Sequence, residues 1–363
     1  MMFDSPVTEY GNFTLMVMAG GTGGHVYPAM AVADYLKEHG WNIVWLCTEG
    51  GMENRLIEGK DYKKAMMTMQ GVRGKGLMGW ILLPFKLATA LKQSFNAIRK
   101  HKPTVVLGMG GFAAFPGGLM AKILGKPLVI HEQNSIAGLT NKTLSIIATR
   151  VLAAFPSAFG AKAMLVGNPV RADITQLTSP QARYAQHTGK LKLLVVGGSL
   201  GAQALNEVLP KALATLPIES RPEVIHQAGE QHIAALQANY HAASVAADTK
   251  AFINNMAEMY AWADVVICRA GALTVAELAC VGVASVLVPF PHAVDDHQTY
   301  NAKYLSDAGA ALLIQQTEFN VAKASEILRN LTREICGEMA IKSKQLAKPN
   351  ATEAVAKICM GLV

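Results

Sequence analysis

A glycine-rich turn followed by a histidine is the first group of residues in this sequence that could do chemistry. The apolar run 15–19 ends at four glycines within the five positions Gly20 to Gly24, and His25 follows at once. Glycines there can adopt positive φ and leave backbone N–H groups open to a ligand. The apolar segment from Ala29 predicts a helix whose N-terminus points at the same place and favours an anion. We therefore expect a strand, a turn and a helix that together form a phosphate-binding site. We expect His25 to act there as a proton acceptor, because imidazole titrates near neutral pH.

A second turn of this kind, 197–201, follows the apolar run 193–196. Neither turn fits the G-x-G-x-x-G dinucleotide fingerprint, since counting from Gly21 the sixth position is Val26. The acidic residue that the fingerprint needs about 20 positions later is also missing. Two plainer interpretations therefore stay open: tight strand–helix packing at both turns, and a histidine that is merely packed at a helix start.

The segment from Asp264 to Glu277 carries more information. Asp264 to Cys268 predicts a strand, Gly271 a turn, and Ala272 the start of a helix whose first amides can hold a diphosphate. Glu277 lies about one and a half turns into that helix, where a carboxylate can accept two hydrogen bonds from a ribose diol. The alternative is a solvated glutamate on a helix surface.

The loop 291–298 looks at first like a metal site. Asp295, Asp296 and His297 are consecutive, however, and adjacent side chains rarely converge on one ion. We therefore expect no metal here, and a loop in which Asp296 and Gln298 meet sugar hydroxyls. A capping loop before a helix at Tyr300 is the alternative.

Alternating strands and helices predict the elements that position these residues. Strands are expected at 41–47, 104–111, 127–130, 146–154, 191–196, 223–226, 249–253, 264–268 and 284–288. This rhythm predicts two doubly wound parallel sheets, which bind ligands beyond the carboxyl ends of their strands. We place one domain at 1–170 and the other at 171–349, with a hinge at Gly167–Pro169. We expect the amphipathic helix 350–363 to pack back on the first domain, and the two halves to face one cleft.

Net charge and composition indicate which kinds of binding partner and which compartment the sequence favours. The net charge of +7 favours anionic partners, but the basic residues are scattered and RNA-reading motifs are absent, so nucleic acid is the weakest candidate. Five cysteines without C-x-x-C spacing indicate a reducing cytoplasm, and residues 1–12 do not resemble a signal peptide. In 73–92, a short apolar run flanked by Arg73, Lys75, Lys86 and Lys92 is too short to cross a bilayer but suits a membrane interface. A buried helix start is the interpretation that the residues alone favour.

Seven motifs, in this order and spacing, resemble those of the MurG family of peptidoglycan-precursor glycosyltransferases. They are GGTGGHVYP, VVLGMGGF, HEQNSIAGLTNK, VGNPVR, VVGGSLGAQ, CRAGALTVAE and PFPHAVDDHQTYNA, and they span nearly the whole chain. The resemblance implies the two-domain GT-B fold. The sequence lacks a D-x-D metal signature, and we expect no cofactor or metal. The resemblance also implies transfer of N-acetylglucosamine (GlcNAc) from UDP-GlcNAc to the N-acetylmuramic acid (MurNAc) 4-hydroxyl of lipid I, giving lipid II with inversion.

Site residues follow from the same motifs. The resemblance implies donor contacts at Thr22, Gly23, Gly24, Asn134, Arg171, Ser199, Ile253, Ala272, Leu273, Thr274, Val275, Ala276, Glu277 and Gln298. It further implies that the first glycine turns receive the acceptor's diphosphate and that His25 is the catalytic base. It reverses the expectation for 73–92, which becomes a docking patch for an anionic membrane at the cytoplasmic face of the inner membrane. Leu200 departs from the family, which often has glutamine there, so we leave it out of the site.

Three rival functions would leave different marks. A UDP-sugar epimerase would need acid–base carboxylates in the cleft and would turn over the donor without any lipid. A nicotinamide-dependent oxidoreductase would need the fingerprint that this chain lacks. A non-catalytic scaffold binding UDP-sugar at the membrane would keep the contacts of Glu277 and Gln298 but would not depend on His25.

Overall fold

The structure, a computed structural model, describes residues 13–69, 83–198 and 201–363. The chain divides into two compact units. The first consists of Met1–Gln133, Ala137–Pro169 and Asn350–Val363, and the second of Asn134–Ile136 and Val170–Pro349. The short segment Asn134–Ile136 thus belongs to the second unit, although its sequence position falls in the predicted first domain.

The first unit is built on a sheet of seven parallel strands in the order β3-β2-β1-β4-β5-β6-β7. These strands are β1 Thr14–Met18, β2 Asn42–Thr48, β3 Lys63–Met67, β4 Val105–Gly108, β5 Leu128–Glu132, β6 Arg150–Ala153 and β7 Met164–Leu165. β3 was not predicted from the sequence. It is an edge strand in which only Ala65 and Met67 are buried, so its lysines hide the apolar signal.

Helices cover both faces of this sheet. They are Gly23–Glu38, Glu53–Leu56, Leu83–His101, Ala114–Ile123, Leu139–Leu144 and Ala351–Met360, with a 3₁₀ turn at Gly160–Lys162. The C-terminal helix packs against Gly23–Glu38, and its Val355, Ala356 and Cys359 are buried in the core of the first unit.

The second unit repeats the plan with six parallel strands in the order β10-β9-β8-β11-β12-β13. The strands are β8 Lys192–Val196, β9 Glu223–Gln227, β10 Asp248–Lys250, β11 Val265–Cys268, β12 Ala284–Leu287 and β13 Ala311–Leu313. β13 was not predicted from the sequence. It has three residues, of which only Ala311 is buried. A run that short carries no readable period.

The helices of the second unit pack around its sheet. They are Ala172–Thr175, Pro180–Gln186, Gln203–Ala214, Ile233–Ala242, Met256–Trp262, Ala272–Val281, His297–Ser306, Val321–Asn330 and Arg333–Gln345, with 3₁₀ turns at Ile218–Ser220 and Val294–Asp296. Within the described ranges, no helix is both long and apolar enough to cross a bilayer. All five cysteines are buried and unpaired.

Strand order reverses at one point in each sheet, and these two points position the candidate sites. In the first unit β1 and β4 lie side by side, and in the second β8 and β11 do so. Ligands of doubly wound sheets bind outside the carboxyl ends of such a strand pair. Almost every residue of these strands is fully buried, as a sheet covered on both faces requires. The predicted doubly wound parallel architecture is confirmed.

Candidate functional site

The first helix begins inside the glycine motif. Gly23 and Gly24 were predicted to lie in the turn, but they form the first helical turn of Gly23–Glu38, with Thr22 as the N-cap residue. The Thr22 carbonyl accepts the N–H groups of His25 (3.1 Å) and Val26 (3.2 Å). Thr22 is exposed, and the first turn holds no acidic side chain. Since the leading N–H groups of a helix have no intrahelical acceptor, this end can bind an anion.

His25 lies in this first turn and is closely approached by the loop after β4. Gly110 has φ +92°, and a Cβ on it would lie 3.1 Å from Cε1 and 3.2 Å from Nδ1 of His25. Gly111 has φ +81°, and a Cβ there would lie 2.5 Å from the Gly20 carbonyl oxygen. Both positions therefore need glycine, because the backbone conformation and the space exclude a side chain.

A line of hydrogen bonds runs from His25 into the core of the first unit. His25 Nδ1 lies 2.7 Å from Gln133 Oε1. Gln133 Nε2 lies 3.0 Å from Nδ1 of His131 and 3.0 Å from the His131 carbonyl oxygen. His131 Nε2 lies 2.9 Å from the Gly167 carbonyl oxygen. His131 is fully buried, and burial lowers its pKa to about 4, so the ring is neutral near pH 7.

Glu132, which lies between His131 and Gln133 in the sequence, holds the end of β5 in place. Glu132 is only 2% exposed, and its carboxylate accepts hydrogen bonds from Asn141 Nδ2 (2.9 Å) and the Gly138 N–H (3.1 Å). Asn141 Nδ2 also donates to the His131 carbonyl oxygen at 3.1 Å. From the sequence, Gln133, His131 and Asn141 were only part of the motif HEQNSIAGLTNK and were not predicted as site residues.

In the second unit, the helix Ala272–Val281 starts directly after β11. Its N-cap is Gly271, with φ −63° and ψ 143°, and no acidic side chain lies in the first turn. The predicted residues Ala272 to Ala276 form its first turns. This helix N-terminus lies at the strand-order reversal of its sheet, where a diphosphate can bind to the first amides.

Glu277 is not the solvated glutamate of the alternative interpretation. Its side chain is buried, with 8% exposed, and its Oε2 accepts a hydrogen bond from the Tyr260 hydroxyl at 3.0 Å. Burial raises its pKa to about 7, while the Tyr260 hydrogen bond and the charge of Arg171 lower it and Asp173 raises it. Arg171 Nε lies 3.8 Å from Asp173 Oδ1, and both side chains are partly exposed. Glu277 is therefore a carboxyl group that changes charge near neutral pH.

The loop before the helix His297–Ser306 contains two aspartates with left-handed backbone, and the second of them, Asp296, is the N-cap residue. Asp295 and Asp296 adopt φ 53° and 51°, and Asp296 Oδ1 accepts the Thr299 hydroxyl at 2.7 Å. Gln298 lies in the first turn of the helix, and its Oε1 accepts the Phe290 N–H at 2.9 Å. Asp296 thus occupies the N-cap position of this helix, but its side chain accepts no hydrogen bond from the N–H groups of the first turn. Among the described residues, no group of three or more His, Cys, Asp or Glu could hold a metal ion.

Asn134 is held by a residue that the sequence analysis missed. Asn301 is fully buried, and its Nδ2 donates to Asn134 Oδ1 (3.2 Å) and to the Ala270 carbonyl oxygen (3.2 Å). Its Oδ1 accepts the Ser135 N–H at 2.8 Å. Asn301 therefore keeps Asn134 close to the start of the helix Ala272–Val281. Nothing in the local sequence distinguishes this asparagine from an ordinary helical one.

The predicted site residues fall into two groups, one in each unit. Thr22, Gly23, Gly24 and His25 share one helix start, whereas Asn134, Arg171 and 272–277 lie around another. Ile253 is buried after β10, on a different strand end from Gln298. Ser199, together with Leu200, lies outside the described residues.

Comparisons with known proteins agree with this two-unit plan. The glycosyltransferase family 28 N-terminal domain matches residues 15–153, and the glycosyltransferase family 28 C-terminal domain matches residues 192–357. The chain is 54% identical over 352 residues to a protein of Nitrosospira multiformis, covering 96% of this chain and 99% of that one. It is 54% identical over 346 residues to one of Dechloromonas aromatica, covering 95% and 98%. Both carry the name UDP-N-acetylglucosamine--N-acetylmuramyl-(pentapeptide) pyrophosphoryl-undecaprenol N-acetylglucosamine transferase.

A solved structure extends the likeness to three dimensions. The crystal structure of Acinetobacter baumannii MurG matches with a TM-score of 0.85 and 43% sequence identity. The match covers 96% of this chain and 99% of that chain.

Proposed function

Because the chain belongs to glycosyltransferase family 28, and within it to the MurG family, we propose that it transfers GlcNAc from UDP-GlcNAc to the MurNAc 4-hydroxyl of lipid I, giving lipid II. Likeness over almost the full length of both relatives is the observation that carries this function. The GT-B fold class and the enzyme class predicted from the motifs are confirmed by the family match. The product is a precursor of peptidoglycan.

The donor is proposed to bind to the second unit. The N-terminal amides of the helix Ala272–Val281 would hold the diphosphate of UDP, and the Glu277 carboxylate would accept hydrogen bonds from the ribose diol. Arg171, whose charge already acts on Glu277, would stabilise the negative charge that builds up on the departing UDP. Asn134, Ile253, Ser199 and Gln298 are the other donor contacts proposed in the second unit.

The acceptor is proposed to bind to the first unit. The open helix start at Thr22, Gly23 and Gly24 suits the diphosphate of lipid I. In the transfer step, the acceptor oxygen forms a bond to the anomeric carbon while the bond from that carbon to the UDP oxygen breaks. His25 accepts the proton of the acceptor hydroxyl, so inversion follows from one direct displacement.

Docking on an anionic membrane is proposed through residues 73–92, of which 73–82 lie outside the described residues. In the described part, Phe85 is 72% exposed, and Lys86 and Lys92 are exposed on the same helix, Leu83–His101. An exposed aromatic ring and two exposed lysines on one helix suit the interface of an acidic bilayer better than a buried helix start. We propose that the protein acts peripherally at the cytoplasmic face of the inner membrane.

One assay tests the proposed function. The full chain is incubated with radiolabelled UDP-GlcNAc and a lipid I analogue, with and without a chelator, and the label is followed into lipid. We expect labelled lipid product that depends on lipid I and is unchanged by the chelator. Donor turnover without lipid would favour the epimerase, and donor binding without turnover the scaffold.

A further inference from the structure

The line of hydrogen bonds that ends at His25 begins at the Gly167 carbonyl oxygen. The Gly167 carbonyl oxygen can only accept, so His131 Nε2, at 2.9 Å, must carry a hydrogen and donate it. His131 is fully buried and neutral near pH 7, and a neutral imidazole has one N–H. Nδ1 of His131 is therefore an acceptor.

The side-chain amide of Gln133 can take only one of its two orientations. The atom at 3.0 Å from His131 Nδ1 is also 3.0 Å from the His131 carbonyl oxygen, and both of these are acceptors. Only an NH₂ group has two hydrogens to satisfy both, whereas the amide oxygen would face two lone pairs. The amide nitrogen must therefore face His131, and the amide oxygen must face His25.

This orientation decides which nitrogen of His25 carries the proton. The Gln133 oxygen accepts, so His25 Nδ1, at 2.7 Å, must donate. In the neutral ring Nε2 then has the free lone pair. The glycine at 110 contributes by leaving room for this edge of the ring, since a Cβ there would lie 3.2 Å from Nδ1.

We propose that Gln133 is a positioning residue for the transfer reaction: it holds the Nδ1 proton of His25, so that Nε2 is the atom that takes the proton of the acceptor hydroxyl. His131 and the Gly167 carbonyl in turn orient Gln133. The inference rests on the proposed role of His25 and deepens it. As the acceptor O–H bond breaks and the Nε2–H bond forms, the imidazolium keeps its Nδ1–H bond to the Gln133 oxygen, which stabilises the new charge.

Histidine-selective ¹⁵N NMR of the full chain tests the tautomer without any enzyme assay. We expect the His25 signals, assigned by their loss in His25→Ala, to show a protonated Nδ1 and an unprotonated Nε2 in the neutral ring. In Gln133→Met, which has similar length but no acceptor, we expect this preference to be lost. A wild-type His25 whose neutral ring carries its proton on Nε2 would overturn the inference, whatever happens to the variants.

Steady-state kinetics with the lipid I analogue give the second readout. General-base catalysis contributes ~10²–10⁴-fold, so Gln133→Met should lower kcat by at least about tenfold and leave the KM for UDP-GlcNAc nearly unchanged. Gln237→Met, a matched change at an exposed glutamine of the helix Ile233–Ala242, should leave both unchanged. Wild-type kcat in a folded Gln133→Met would contradict the inference.

Two further arms separate this inference from the proposed function. Gln133→Glu keeps an oxygen opposite His25, so it should retain more activity than Gln133→Met. Full transfer by His25→Ala would refute the base itself, and wild-type protein inactive toward lipid I would refute the proposed function. In either case the NMR spectrum still tests which nitrogen of His25 carries the proton, because that measurement does not depend on activity.

Discussion

Lowering the pH from about 8 to about 6 should weaken the binding of UDP-GlcNAc. The reason is that the Glu277 carboxylate, which we propose to bind the ribose diol, loses its charge in this range. Glu277 is buried beside Tyr260, and burial raises its pKa from 4.5 to about 7. A ribose diol donates hydrogen bonds, so it needs the ionised carboxylate as acceptor. The raised pKa means that the binding-competent form dominates above pH 7 and is lost as the pH falls below it.

The size of the effect follows from the pKa. With a pKa of about 7, roughly nine-tenths of the Glu277 side chains are ionised at pH 8 and roughly one-tenth at pH 6. The apparent Kd scales inversely with this fraction, so it should rise about tenfold between the two conditions. A carboxyl group with its ordinary pKa of 4.5 would be almost fully ionised at both, and the Kd would barely change.

Isothermal titration calorimetry of UDP-GlcNAc binding across this range measures the effect. Glu277→Gln should bind more weakly at pH 8 and show no such slope, because its amide does not titrate. Tyr260→Phe removes the hydrogen bond that lowers the Glu277 pKa, so the midpoint should move to higher pH. A wild-type Kd that is equal at both pH values, or a slope that persists in Glu277→Gln, would refute the reasoning.

Three further predictions address the first unit. His25→Ala should abolish GlcNAc transfer, measured with the lipid I analogue, while the Kd for UDP-GlcNAc stays unchanged. Gly110→Ala should lower kcat and destabilise the fold by ~1–3 kcal/mol in thermal unfolding, since its backbone is left-handed and its Cβ would press on the His25 ring. Replacing Trp80 and Phe85 with Ser should reduce binding to acidic vesicles in a sedimentation assay without changing the melting temperature.

Each of these has an outcome that contradicts it. Transfer at wild-type rate by His25→Ala removes the histidine as base. A Gly110→Ala enzyme with unchanged kcat means that the ring tolerates the extra methyl group. Vesicle binding that persists in the Trp80 and Phe85 double variant assigns the patch a structural role instead.

The sequence by itself determined the architecture and the family of this protein. Fully buried parallel strands require continuous apolar runs, and the turns at the strand-order reversals require glycine, so both leave marks that can be read along the chain. The prediction from sequence failed for the edge strands β3 and β13, because both are short and partly exposed and so carry little apolar signal. The helix start at Gly23 was also missed, because two glycines and Pro28 argue locally against a helix.

Only the tertiary structure decided which groups surround the site residues. Gln133 and His25 are 108 positions apart, and neither motif indicates that the amide oxygen of one meets the imidazole of the other. The sequence suggested Glu277 as a contact for a ribose diol, but it did not indicate that this side chain is buried and hydrogen-bonded to Tyr260, 17 positions away. Burial raises the pKa of Glu277 to about 7. The physical reason is that proton positions and pKa values depend on desolvation and hydrogen bonds, and packing sets these among residues far apart in the chain.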